Sequence, residues 1–127
     1  MNILITNGQE DQAYLIAVAL RKKANHIVMA FPEKTRQSLL APGRFSRFVS
    51  ARYSIPSPAK DWAKGNLDER NSEVEEAYIL AIEEICRSEN IDVIFPSFDP
   101  DIFVLSKNKD RLAEQGILCI TGSLGAL

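Results

Sequence analysis

One histidine and two cysteines are all this chain offers of the residues that favour transition metals. Cys86 and Cys119 stand far apart with no C-x-x-C spacing, so neither a zinc knuckle nor a thioredoxin-like redox pair is expected. Each lies in a predicted regular element among apolar neighbours, which reads as two buried thiols in a reducing cytosol. His26 opens the apolar run His26-Ile-Val-Met-Ala-Phe31 with no cysteine or acidic cluster beside it, and is read as structural. No apolar stretch approaches the roughly 20 residues that span a bilayer. No basic region precedes the first apolar run, so no secretion signal is read and the location expected is cytoplasmic. A net charge of −2 gives no overall pull toward nucleic acid or anionic membrane.

What is present is the material of one globular domain: 127 residues, 46% hydrophobic and 25% charged, enough for one sizeable core. Asn2-Ile-Leu-Ile-Thr6 is a short apolar strand ending at the turn signal Asn7-Gly8. Ala13, Ile16, Ala17, Leu20 and Ala24 then keep the rhythm of one buried helical face. Arg21, Lys22 and Lys23 are placed in that helix's last turn, and Asn25 at its stop. His26 to Phe31 is a second strand, closed by Pro32. Arg47 to Ser50 and Tyr53 to Ile55 are two short strand candidates, and Asp61 to Asn71 is read as a surface loop.

Ser72-Glu-Val-Glu75 fits a capping box. Behind it, Val74, Ala77, Tyr78, Ala81, Ile82 and Ile85 form a single stripe, with Asn90 as the stop. Asp92 to Pro96 is a buried strand. Asp99-Pro100-Asp101 starts the last helical stretch with an acidic cap and proline at the first position. Ile102, Leu105, Leu112 and Ala113 are expected inside; Ser106 to Lys109 interrupts the stripe, so the stretch to Gly116 reads either as one helix or as two short ones. Ile117 to Ile120 is the fifth strand.

Strands alternating with helices predict a three-layer, Rossmann-like α/β domain: about five parallel strands with helices on both faces. In the order 3-2-1-4-5, the turns after strands one and four face each other across the crevice at the carboxyl edge. That places Asn7, Gly8 and Gln9 opposite Ser97, Phe98, Asp99 and Asp101.

The opening strand and single-glycine turn, Ser46-Arg47, Ile55-Pro-Ser-Pro58, Ile91-Asp-Val-Ile-Phe-Pro96, Asp99-x-Asp101 and Leu112-x-x-x-Gly-Ile117 occur in that order. Together they resemble the N-terminal, pre-ATP-grasp domain of carbamoyl phosphate synthetase-like and biotin carboxylase-like ligases. The resemblance spans nearly the whole chain, with residues 1–120 as the domain. Thr121-Gly-Ser-Leu-Gly-Ala-Leu127 matches the usual lead into the next module. Such ligases join a carboxylate to an amine through an acyl phosphate. The resemblance implies that ATP and magnesium belong to the missing ATP-grasp module, that this domain is its partner, and that Asn7, Gly8, Gln9, Ser97, Phe98, Asp99 and Asp101 form a wall facing the small-molecule substrate. It assigns no catalytic and no metal-binding residue here. The first turn is followed by Glu10 and Asp11, where the family often has more glycine, and two acids at a helix start oppose a bound phosphate.

Other readings stand beside it. Lys34, Arg36, Arg44, Arg47, Arg52 and Lys60, interleaved with Phe45, Phe48 and Tyr53 and without an acid between, read first as a solvated connector. The same stretch suits a self-sufficient anion- or partner-binding domain, with Arg44 and Arg47 as the anion contacts; single-stranded nucleic acid is the weaker partner. A nicotinamide-binding domain has Glu33 near a ribose-binding position but only Gly8 of three required glycines. A receiver domain lacks the carboxylate at the end of strand one. Capping alone accounts for the Asp99 and Asp101 spacing, and a severed domain interface would favour a homodimer.

Overall fold

The computed structural model describes residues 1–6, 11–20, 22, 26–32, 49–56, 72–97 and 99–120, the side chains at 11, 12, 72 and 99 excepted. The elements among the described residues are, in chain order, β1 (Asn2–Ile5), α1 (Asp11–Leu20), β2 (His26–Pro32), β3 (Ala51–Ile55), α2 (Ser72–Glu89), β4 (Val93–Phe95), α3 (Asp99–Lys107), α4 (Lys109–Ala113) and β5 (Leu118–Cys119). The strands form one sheet in the order β3-β2-β1-β4-β5, every pairing parallel. The expected three-layer α/β architecture and strand order are therefore present.

Alternate residues of the central strands supply two separate cores, as a sheet covered on both faces requires. Ile3, Ile5, Ile27, Met29 and Phe31 pack with Ala13 and Ala17 of α1. Leu4, Val28, Ala30, Ile94 and Cys119 pack on the other face with Tyr78, Ile79, Ile82, Ile85, Val104, Leu105 and Leu112 of α2, α3 and α4. Among the described residues the second core is the larger, with three helices contributing to it.

The stops of α2 and α4 use left-handed backbone. Asn90 has φ 54° and Gly116 φ 80°. Ile91 N–H returns to the Cys86 carbonyl at 3.0 Å, and Ile117 N–H to that of Leu112 at 3.1 Å. These six-to-one bonds occupy carbonyls that the helix ends leave over.

Several local expectations are corrected. α1 ends at Leu20 with no basic residue in its last turn, so Lys22 lies beyond the helix. Ala77 and Ala113 are exposed, whereas Ile79 and Val104 are buried and Ile102 is half-buried. The contacting stripes are thus rotated slightly from those expected, because α2 is pressed on by α3 and α4 as well as by the sheet. Both oxygens of Glu75 accept hydrogen bonds from Lys107 Nζ, at 3.0 and 2.9 Å, which ties α2 to α3. The third strand begins at Ala51, after Ser50. The break predicted between Ser106 and Lys109 falls at Asn108, whose side-chain amide donates to the Val104 carbonyl at 2.8 Å. Arg21, Lys23, Ala24, Asn25, Arg47 and the 61–71 loop lie outside the described residues.

Candidate functional site

β1 and β4 are neighbours in register, Ile3 beside Val93 and Ile5 beside Phe95, so their carboxyl ends finish level. Thr6 N–H donates to the Phe95 carbonyl at 3.2 Å. Ser97 Oγ donates to the Thr6 carbonyl at 2.6 Å. The chain leaving each strand is therefore fastened to the other at the switch point of the sheet, where ligands of open α/β domains bind.

Four polar residues are buried around this fastening: Thr6, Ser97, Asp101 and, on α2, Tyr78, which is 1% exposed. Asp101 lies in the first turn of α3, where the positive end of the helix dipole favours a carboxylate. Burial above all, and then the charge of Asp101, pushes the Tyr78 hydroxyl well above the ordinary phenol value, an effect the Thr6 hydroxyl tempers. Among the described residues neither Thr6 Oγ1 nor Tyr78 Oη completes a hydrogen bond of normal geometry. The group is a buried set of hydroxyls and one carboxylate at the carboxyl ends of β1 and β4.

Of the expected residues, Ser97 is buried against the Thr6 carbonyl and Asp101 is buried near Tyr78. Asp99 is the first residue of α3. Asn7, Gly8, Gln9, Phe98, Arg44 and Arg47 lie outside the described residues. Thr6 and Tyr78 escaped the sequence reading, one as a strand terminus and the other as a core residue. The signal for Tyr78 is its hydroxyl: a buried tyrosine brings a polar group that must sit beside other polar groups.

No group of three histidine, cysteine or acidic residues able to hold a metal occurs among the described residues. None of the described helices is long and apolar enough to cross a membrane. The two thiols are buried and unpaired by disulfide. Burial pushes Cys86 up to about 12 and Cys119 up to about 11, which leaves both unreactive near neutral pH.

At the opposite edge of the sheet, Glu89 at the end of α2 meets His26 of β2 and Tyr53 of β3. Asn2 completes that edge: its side-chain amide donates to the carbonyls of Glu89 and Asn90 at 3.2 and 3.0 Å. His26 is therefore a structural partner of a carboxylate.

No curated protein matches the chain. Residues 66–120 match the family model described as PylC-like, N-terminal domain, a span that takes in α2, β4, α3, α4 and β5 and so includes Tyr78, Ser97 and Asp101. Over that span the chain is similar to the PylC-like N-terminal domain, in agreement with the N-terminal domain of an ATP-grasp-type ligase that its sequence resembles.

Proposed function

We propose that this domain is the non-catalytic, substrate-side N-terminal part of a cytoplasmic, carbamoyl phosphate synthetase-like ligase joining a carboxylate to an amine. The observation that supports the reading is the Ser97–Thr6 hydrogen bond, which fastens the chain leaving β4 to the end of β1 at the carboxyl edge. In this reading a small-molecule substrate contacts Asn7 to Gln9 and Ser97 to Asp101. ATP and magnesium belong to an ATP-grasp module of the same protein, which supplies the phosphate-activating chemistry. The described residues contribute position. Ser97 holds the end of β1 by donating to the Thr6 carbonyl, Asp101 stands in the first turn of α3, and Tyr78 is buried near Thr6 and Asp101.

The test is steady-state kinetics on the protein that carries this domain joined to its ATP-grasp module. Ser97→Ala is expected to raise KM for the carboxylate or amine about tenfold, roughly 1.4 kcal/mol of binding, while KM for ATP is unchanged. A rise in the ATP KM instead, or tight binding of ATP with magnesium to the 127-residue chain alone, overturns the assignment.

A further inference from the structure

At the amino edge of the sheet, away from the crevice, a cavity of about 520 Å³ opens between the end of α2 and the entry to β5. Its volume falls within the roughly 300–1,000 Å³ of small-molecule pockets. Cys86, Ile91 and Ile117 give it an apolar floor, and each is at most 6% exposed. Gly116 leaves open space above its backbone, with nothing within 4 Å of where a Cβ would stand. Arg87 and Asp92 contribute one charge of each sign to the lining.

These two charges are not used against each other. Among the described residues Arg87 has no ion pair. The neighbouring acids of its own helix are engaged elsewhere, Glu83 with Arg111 and Gln115, and Glu89 with Tyr53 and His26. Asp92 accepts the Asn2 N–H on Oδ2 at 2.8 Å, and its other oxygen takes no partner among the described residues. The carboxyl end of α2, which also borders the cavity, adds partial negative charge on the Asp92 side of the balance.

A cavity with a lone guanidinium, a half-used carboxylate, a helix C-terminus and an apolar floor is complementary to a zwitterion. The geometry points to a binding site for a free α-amino acid with a small apolar side chain: carboxylate to Arg87, ammonium toward Asp92 and the end of α2, side chain over Ile91 and Ile117. The site is separate from the crevice and stands whether or not the ligase assignment does.

Titration of the full chain with L-valine, followed by calorimetry and by amide chemical shifts, tests it. L-Valine is expected to bind with a Kd below about 1 mM, and isobutyrate and isobutylamine, each carrying one charge, at least about tenfold more weakly. Arg87→Gln and Asp92→Asn should each weaken L-valine about tenfold while the urea midpoint holds, since Arg87 is exposed and asparagine keeps the acceptor for Asn2. Isobutyrate binding as tightly as L-valine overturns the zwitterion site. So does unchanged affinity in both variants, or no shift of the cavity amides at about 10 mM L-valine.

Discussion

The Tyr53 hydroxyl donates to Glu89 Oε1 at 2.5 Å while Glu89 Oε2 lies 2.6 Å from His26 Nε2, so one carboxylate at the end of α2 joins both β2 and β3. The Tyr53 hydrogen bond first, and that with His26 second, hold the Glu89 carboxyl below its usual value against the opposing effect of burial. Because the folded value is depressed, the stabilisation is complete above the unfolded carboxylate value of about 4.3 and is lost as pH falls through the folded one. The urea midpoint should therefore decline on acidification below about pH 5, and the decline should be smaller in Glu89→Gln. Equal acid limbs for the two proteins would remove Glu89 from the account.

The same contact has an alkaline consequence. The bond to Glu89, followed by burial, raises the Tyr53 hydroxyl above the ordinary phenol value. A raised folded value means full stabilisation below about 10, lost as pH rises through the folded value. Tyr53→Phe should flatten the alkaline limb of the urea midpoint and lower the midpoint near neutrality, because the hydrogen bond to a charged acceptor is gone, at about 1.5–3 kcal/mol.

Arg111 on α4 separates a buried from an exposed partner. It meets Glu76 at 3.0 Å through each of two nitrogens, and Glu83 at 2.6 Å. The Glu76 side chain is 52% exposed and that of Glu83 is 7% exposed. The exposed pair contributes little, so Glu76→Ala should cost under about 1 kcal/mol. Arg111→Ala strips Glu83 of its cation, leaves Gln115 as its remaining partner among the described residues, and should cost more than Glu76→Ala but less than breaking a fully buried pair, because Arg111 is partly solvated. Urea unfolding of the two variants side by side checks the ordering.

What the sequence disclosed follows the physics of period and punctuation. The runs at Ile3–Ile5 and Ile27–Phe31, and the alternation of such runs with helical stripes, already contained the parallel sheet and its order. Asn90 and Gly116 were legible as stops because few other residues tolerate the left-handed backbone they adopt. Strand order placed Ser97 beside the end of β1, where its hydroxyl meets the Thr6 carbonyl. The burial of Glu83 and Ile79 was not legible, and Tyr78 was legible only as a core residue, without the role of its hydroxyl. A helix packed against two neighbours buries a wider arc than the stripe shows, and whether a glutamate or a tyrosine hydroxyl enters that arc depends on partners more than 20 residues distant. Ala77 and Ala113 misled for the converse reason: alanine suits any face of a helix.

The buried Tyr78 hydroxyl gives a test that separates its ring from its oxygen. The ring fills the larger core and is among the largest fully buried side chains, whereas Oη completes no hydrogen bond of normal geometry among the described residues. Removing an unsatisfied buried hydroxyl relieves a desolvation cost, so Tyr78→Phe should leave the unfolding free energy within about 0.5 kcal/mol or raise it. Tyr78→Ala should cost about 3–5 kcal/mol through the cavity it leaves. A loss of 2 kcal/mol or more in Tyr78→Phe, on the order of a satisfied hydrogen bond with its desolvated partner, would show that the hydroxyl is firmly held.

The two left-handed stops lend themselves to a paired experiment. Gly116 sits at φ 80° with open space where a Cβ would go, so the cost of Gly116→Ala is conformational alone, about 1–2 kcal/mol. Asn90 at φ 54° already tolerates that region, and Asn90→Gly should change stability by no more than about 0.5 kcal/mol, with glycine's easier backbone offset by its larger unfolded-state entropy. Asn90→Ala, which offers neither glycine's freedom nor asparagine's local hydrogen bonding, should lose about 1 kcal/mol. Thermal unfolding of the three variants should rank Asn90→Gly above Asn90→Ala, with Gly116→Ala at or below Asn90→Ala. A Gly116→Ala protein as stable as the parent would mean that the turn into β5 relaxes out of the left-handed region, and that the bond from Ile117 N–H to the Leu112 carbonyl does not fix the helix end.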